Sequence, residues 1–158
     1  MSFDLTAYDL TKVALNRDQI MQLLPHRHEM LQLDWIIQVD RERSLILGFR
    51  DLREVEFWTR GHFPGNPMYP GVLMVEAAAQ MSVVGYKLFI PSLKDRLIAF
   101  GAIDEVKFRG IVRPKDRVIL VCQGIQFSSR ACKSKNWGFV NGGMVFEATI
   151  LGVPIPGR

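Results

Sequence analysis

The chain has 158 residues, of which 48% are hydrophobic, and a formal net charge of +4 at pH 7. This length and composition suit one globular domain with its own core, and we expect residues 1–158 to form that domain. The charge is small and spread along the chain, without a basic patch interleaved with aromatic residues, so no nucleic-acid partner is expected. Two cysteines are too few for a disulfide framework, and no secretory signal is evident, so the sequence predicts a cytoplasmic protein.

Short-range signals near the beginning of the chain predict one helix and one hairpin. Asn16 is suited to cap a helix over residues 17–24, which Pro25 would end. Apolar alternation over residues 31–39 and 44–50 predicts two strands joined by a charged turn.

A loop rich in glycine and proline, residues 61–71, precedes the most apolar segment of the chain. Residues 72–90 are apolar on nearly every face, which predicts a long helix enclosed by other parts of the molecule. The segment is almost long enough to span a bilayer, but it contains Glu76, Gln80 and Lys87. These polar residues favour a buried helix of a soluble protein over a membrane span.

Four further strands are predicted after this helix, over residues 96–108, 116–128, 131–140 and 143–151. Asn141-Gly142, between the last two, is typical of a two-residue type I′ turn. One long helix with about six antiparallel strands is an α+β pattern. The economical packing for it is a curved sheet wrapped around the helix.

Three groups around the start of the long helix have complementary chemistry. A helix that begins near Gly71 presents unpaired N–H groups and partial positive charge, which suit a developing oxyanion. His62 is a possible base near neutral pH. Glu76 lies among apolar residues, so we expect burial to raise its pKa and suit it to giving a proton. A base, an oxyanion site and an acid are the parts needed to eliminate water from a 3-hydroxy thioester without a cofactor.

The same residues also fit structural roles. A histidine in a turn next to an aromatic residue, as His62 is, is often a hydrogen-bonded loop residue. Glu76 can pair with Gln80, which lies on the same face of the helix. His26 and His28 have the types and spacing of two metal ligands, but no third ligand lies nearby in sequence, so no metal site is predicted. From the residues alone, catalysis and structure both stay open.

Five motifs together carry a family resemblance. The strongest are GHFPGNP over residues 61–67, PGVL over 70–73 and EAAAQ over 76–80, and LPHR over 24–27 and VRPKD over 112–116 support them. In order and spacing they resemble the 3-hydroxyacyl-[acyl-carrier-protein] dehydratases of type II fatty acid synthesis. The resemblance implies the hot-dog fold, in which an antiparallel sheet of about six strands wraps around one long central helix.

This resemblance covers residues 17–151 and implies a role for four residues. His62 is implied as the catalytic base, and Glu76 as the acid, acting with a bound water. Gly71 and Val72 are implied as substrate-binding residues, with the N–H of Gly71 binding the thioester oxygen. A glutamate at position 76, where a sister branch that also isomerises the double bond has aspartate, resembles the branch that only dehydrates. The implied reaction turns a (3R)-hydroxyacyl thioester into the trans-2-enoyl thioester, with no cofactor and no metal.

The resemblance also implies partners. Members of the family form homodimers in which the central helices pack together and each site takes residues from both subunits, and three such dimers commonly join into a hexamer. A helix as apolar as residues 72–89 also has more surface than one small sheet is expected to cover, which favours a second copy. The substrate is expected to arrive on an acidic acyl carrier protein, which would meet basic residues such as Arg109, Arg113 and Lys115.

Two other functions are compatible with these features. A hot-dog acyl thioesterase would share the fold and hydrolyse the thioester, but His62 with Pro70-Gly71 argues against it. A non-catalytic acyl-carrier-binding subunit would have lost activity, which the presence of both His62 and Glu76 argues against. Tyr69 stands where the family commonly has a smaller or aliphatic residue, and residues 28–30 also depart from its pattern. These departures leave the acyl-chain length and the pathway open.

Overall fold

The computed structural model describes residues 3–156 as one six-stranded antiparallel sheet curved around a long helix. The strand order is β1-β2-β4-β5-β6-β3. The predicted α+β fold is therefore confirmed. The helices and strands are α1 (Arg17–Leu23), β1 (Trp35–Asp40), β2 (Leu45–Asp51), α2 (Gly71–Phe89), β3 (Leu97–Phe108), β4 (Arg117–Phe127), β5 (Cys132–Val140) and β6 (Gly143–Ile155).

Short-range signals in the sequence account for the start of α1 and for the turn between β5 and β6. The Asn16 side chain accepts a hydrogen bond from the Gln19 N–H, and the Gln19 side chain accepts one from the Asn16 N–H, both at 2.9 Å. This reciprocal capping fixes the start of α1, as predicted. Asn141 and Gly142 have φ angles of 49° and 80°, the left-handed values that a type I′ turn needs between β5 and β6.

The first strand begins later than the alternation predicts. Leu31 and Leu33 are buried, but they belong to a connecting segment and not to β1. The N–H of Gln32, between them, donates at 2.9 Å to Oε1 of Gln80 on α2, so at this residue the segment is bound to the helix. The prediction of a strand from residue 31 is wrong because the same alternation also fits apolar side chains that anchor a loop.

The last strand extends four residues beyond its predicted end at residue 151, because β3 continues to pair with it. Leu97 and Ile98 of β3 lie opposite Ile155 and Pro154. The pairing of β6 with β5 ends at Gly152, so Pro154 has a neighbouring strand on one side only. A proline, which has no N–H to donate, is tolerated at such a position.

The central helix is covered by its own chain. Twelve of the nineteen residues of α2 are buried. It is long and apolar enough to cross a membrane, but 67% of its apolar window is buried inside the fold, as expected of a core helix. The sheet curves around most of the helix, but Val72 in its first turn is 73% exposed, and the expectation of a second copy stays a prediction.

Uncovered apolar surface also lies on β3, at the edge of the sheet. This strand pairs only with β6, and none of its twelve residues is buried. Phe100, Ile103 and Phe108 are its exposed large hydrophobic side chains. A long edge strand with apolar side chains is a surface on which a second chain can pair.

A buried polar cluster fixes the helix against the sheet. Ser82 Oγ on α2 donates at 2.9 Å to the Ala78 carbonyl oxygen and lies 2.8 Å from Ser134 Oγ and 3.1 Å from Asn136 Oδ1 on β5. All three polar residues are at most 1% exposed. Since buried polar groups are costly unless they are paired, the cluster defines how α2 sits on the sheet.

Candidate active site

His62 is held in the loop before α2 by three hydrogen bonds. Its N–H donates to the Trp58 carbonyl oxygen, its carbonyl accepts from the Met68 N–H, and its Nδ1 lies against the Met68 carbonyl oxygen, each at 2.8 Å. A carbonyl oxygen can only accept, so Nδ1 carries the ring proton. The neutral ring then has an unprotonated Nε2, which is the form that a general base requires.

Gly71 begins α2 beside this histidine. Pro70, the residue before it, offers no side-chain cap, and among residues 3–156 no backbone carbonyl accepts from the Gly71 N–H. A cavity of about 430 Å³ is lined by His62, Gly71 and Val72 together. Val72 is 73% exposed at its edge. His62 and the partial positive charge at the start of α2 therefore lie beside the same, mostly apolar cavity.

Tyr69, which departs from the family pattern, lines the same cavity and is buried. Its hydroxyl donates to Gln32 Oε1 at 2.7 Å and to the Leu73 carbonyl oxygen at 3.1 Å. Burial raises the pKa of this phenol well above its ordinary value, so Tyr69 stays protonated and acts as a donor. Its ring also packs against Trp58, with 5.6 Å between the ring centres. These contacts give Tyr69 a structural function in the loop.

Glu76 lies one turn into α2, with a side chain that is 18% exposed. Its Oε1 accepts from Gln80 Nε2 at 2.8 Å and lies 3.1 Å from His26 Nε2. The pairing with Gln80 agrees with the helical spacing of four residues. The contact with His26 was not predicted, although the LPHR motif that contains His26 was part of the family resemblance.

The pKa of Glu76 differs from the expected direction. Burial is the largest single influence and raises the pKa, but the hydrogen bonds from His26 and Gln80 and the electrostatic influence of His26 outweigh it. The result is a pKa below the ordinary value of a glutamate. The expectation of a raised pKa is wrong because it counted desolvation and left out the two donors.

Within one chain, His62 and Glu76 do not share a cavity. Glu76 lines a second cavity of about 180 Å³, between α2 and the strands β3, β5 and β6. Its walls include His26, Val83 and Cys132 and are mostly apolar. The structure thus brings His62, Gly71 and Val72 together and places Glu76 on the other side of the helix start.

The histidine pair of the LPHR segment is divided between two environments. His26 faces Glu76, whereas His28 lines a polar cavity with Arg17 and Arg50. Among residues 3–156, no three His, Cys, Asp or Glu side chains are grouped so that they could hold a metal ion.

The basic residues expected to meet a carrier protein are partly neutralised. Arg109 forms an ion pair with Glu147, and Lys115 Nζ lies 2.9 Å from Glu54 Oε1. Arg113 is exposed, and its guanidinium donates at 2.8 Å to Asn66 Oδ1 in the loop that contains His62. Of these three, only Arg113 has no carboxylate partner for its side chain among the described residues.

Comparisons with known proteins agree with the fold and the motifs. The FabA-like domain matches residues 24–149. A protein of Caldicellulosiruptor saccharolyticus, 3-hydroxyacyl-[acyl-carrier-protein] dehydratase FabZ, is 36% identical over 144 residues, which cover 91% of this chain and 96% of that one. The protein of the same name from Koribacter versatilis is also 36% identical, over 88% of each chain.

Solved structures of low sequence identity share the fold. The dehydratase heterocomplex ApeI:P from Xenorhabdus doucetiae superposes with a TM-score of 0.74 at 14% identity, over 88% of this chain and 91% of that one. A sigma28-regulated virulence protein from Campylobacter jejuni superposes with a TM-score of 0.65 at 13% identity, over 95% of this chain and 97% of that one. The hot-dog fold is thereby confirmed. With its domain match and its similarity to FabZ proteins over most of their length, the chain belongs to the FabA-like family of 3-hydroxyacyl-[acyl-carrier-protein] dehydratases.

Proposed function

We propose that residues 1–158 act as one dehydratase domain in fatty acid synthesis, with His62 as the base and Glu76 as the acid. Nε2 of His62 takes the proton on Cα of a (3R)-hydroxyacyl thioester, and Gly71 with Val72 binds the thioester, whose oxygen accepts from the Gly71 N–H. Glu76 supplies a proton to the 3-hydroxyl group, directly or through a bound water. The C–O bond then breaks, and the products are water and the trans-2-enoyl thioester.

One observation carries this proposal most directly. The hydrogen bond from His62 Nδ1 to the Met68 carbonyl leaves Nε2 unprotonated in the cavity where α2 begins. This cavity combines a base with the N–H group at the start of α2. The two suit abstraction of a proton next to a thioester carbonyl, because the enolate oxygen needs a hydrogen-bond donor as the proton leaves. No cofactor is needed for this chemistry.

We also propose that the enzyme works as a cytoplasmic homodimer in which each site joins His62 of one chain to Glu76 of the other. The separate cavities of the two residues support this, since one chain by itself does not bring them together. The free edge of β3 offers a surface for pairing, and three dimers in a hexamer would follow the family pattern. The substrate would arrive on an acyl carrier protein, for which Arg113 beside the His62 loop is a candidate contact.

The assignment is tested with crotonyl-carrier protein as the substrate of the reverse, hydrating reaction. We expect His62→Ala and Glu76→Gln each to lower the rate by about a hundredfold or more, as is usual when a positioned base or acid is removed, with the circular dichroism spectrum unchanged. Glu76→Gln should also remove one limb of the pH–rate profile, because an amide does not titrate. The matched controls are His28→Ala and Glu29→Gln, which remove an exposed histidine and an exposed glutamate from another loop.

The same assay distinguishes the other functions. Loss of the enoyl absorbance without free thiol means hydration, release of thiol means a thioesterase, and binding without either means a carrier-binding subunit. A near wild-type rate in either variant, with the fold intact, would show that the role proposed for that residue is wrong.

A further inference from the structure

The Glu76 carboxyl group is held on one side only. Both of its donors, Gln80 Nε2 and His26 Nε2, lie against the same oxygen, Oε1. Oε2 accepts no hydrogen bond from the described residues. The Glu76 side chain lines a cavity, in which Oε2 is free to meet a ligand. Because Oε1 already accepts from Gln80 and lies 3.1 Å from His26 Nε2, Oε2 is the oxygen left free to meet a reactant.

The ring of His26 is placed to donate a hydrogen bond to Glu76. Its Nε2 faces the carboxyl group, whereas its Nδ1 is buried and has no hydrogen-bond partner among residues 3–156. A proton on Nδ1 would leave a buried N–H without an acceptor, which costs more than an unused lone pair on a neutral ring. Of the two neutral tautomers, the one with its proton on Nε2 therefore fits this position better.

The backbone beneath His26 is fixed from two directions. The Arg27 guanidinium donates at 2.7–2.8 Å to the carbonyl oxygens of Leu24 and His26. Lys87, buried on α2, donates at 2.8 Å to the Leu23 carbonyl oxygen at the end of α1. Arg27 therefore stabilises the loop, and Lys87 connects that loop to the helix that contains Glu76. The distance between the His26 ring and the carboxyl group is thus built into the packing of α1 on α2.

We propose that His26 is a positioning residue of the dehydratase, which holds Oε1 of Glu76 through its Nε2–H so that Oε2 faces the reacting hydroxyl group. The inference rests on the proposed role of Glu76 as the acid. Cys132 is the other titratable group that lines this cavity, and burial raises its pKa to about 12, so it stays neutral. Tyr69 also stays neutral, and Lys87 is directed at Leu23. His26 is therefore the titratable side chain that contacts Glu76 among the described residues.

The test compares two amides at position 26. Gln places its side-chain N–H₂ near the location of the histidine Nε2, whereas Asn, shorter by one methylene, reaches only the location of Nδ1. We expect His26→Asn to lower kcat by about tenfold to a hundredfold, because a loosened acid is misplaced, with KM within about twofold. His26→Gln should keep most of the wild-type kcat. His28→Asn is the matched control, since it changes an exposed histidine of the same loop.

The pKa of Glu76, measured by carboxyl carbon-13 NMR, gives a readout that a purely structural role would not change. It should rise in His26→Asn, because one of the two donors that hold it low is lost, and stay close to wild type in His26→Gln. Equal loss of kcat in both variants, or an unchanged pKa of Glu76 in His26→Asn, would overturn the proposal. Nitrogen-15 NMR of the wild-type enzyme gives a check that needs no variant, since an unprotonated Nε2 of His26 would also overturn the proposal.

Glu76→Gln separates this inference from the proposed function. If Glu76→Gln is as active as wild type, the acid role fails and the inference about His26 fails with it. If Glu76→Gln is inactive while His26→Asn keeps the wild-type rate and the wild-type pKa of Glu76, only the inference about His26 fails.

Discussion

At Gly71, the absence of a side chain lets the first turn of α2 lie against an aromatic ring. A Cβ at this position would lie 2.8 Å from Cζ and 2.9 Å from Cε1 of Phe108. Such a contact is too short to persist, so either the helix start or the ring must move. Phe108 is 52% exposed, which gives the ring room to turn away from the cavity that it shares with His62. Function should therefore suffer more than stability.

We expect Gly71→Ala to lower kcat/KM by about tenfold or more, because the N–H at the helix start and the cavity wall are both displaced. The free energy of unfolding should fall by about 1 kcal/mol, at the low end of the cost of overpacking. Phe108→Leu removes the clashing ring edge, so the double variant should regain part of the lost activity. Steady-state rates and urea denaturation of the two single variants and the double variant measure this. A double variant no better than Gly71→Ala would mean that the added methyl group obstructs the substrate itself.

At the level of elements, the position of α2 on the sheet depends on polar contacts as well as apolar packing. Ser82 is the one residue of the helix that contacts both Ser134 and Asn136 on β5. The apolar neighbours would tolerate small shifts of the helix, but hydrogen bonds have a fixed length and direction. The cluster therefore selects one position of the helix, and with it one position for Glu76.

We expect Ser82→Ala to lower the free energy of unfolding by about 1–3 kcal/mol, because Ser134 and Asn136 lose a partner while they remain buried. Ser92→Ala, in the exposed turn after α2, is the matched control and should change stability by less than about 0.5 kcal/mol. Urea denaturation followed by tryptophan fluorescence measures both. A stability of Ser82→Ala equal to that of the control would show that water replaces the lost hydroxyl group or that the cluster contributes little.

For the whole molecule, the separation of His62 from Glu76 within one chain is the feature that bears most on function. One chain has His62 and the helix start in one cavity and Glu76 in another. Under the proposed dimer, the two halves meet across the interface, and each dimer has two sites. Each site then depends on both chains.

We expect two inactive variants, His62→Ala and Glu76→Gln, to regain activity when they are unfolded together and refolded. Random pairing makes half of the dimers mixed, and each mixed dimer has one site with both wild-type residues, so the rate should approach about a quarter of wild type. Each variant refolded alone is the control. If mixed dimers form, as mass spectrometry can show, and the mixture stays inactive, the two residues act within one chain and the shared-site proposal is wrong.

Sequence predicted those parts of the fold that depend on near neighbours. The cap at Asn16, the turn at Asn141-Gly142 and the long apolar helix each follow from residues a few positions apart. The motifs also named His62, Gly71 and Glu76, whose roles stay predictions. The surroundings of Glu76 could not be predicted, because His26 reaches it across fifty residues of chain and the direction of its pKa depends on that contact.

Because α2 is mostly buried within its own chain, folding and dimer formation would be separate steps in the appearance of active enzyme. Under the proposed dimer, a chain that covers most of its central helix by itself would fold in a first-order step and pair in a second-order one. With the site divided between chains, a newly folded monomer would be intact and still unable to turn over substrate. The supply of active enzyme would then grow with the square of the monomer concentration when that concentration is low, and abundance itself would regulate the onset of catalysis.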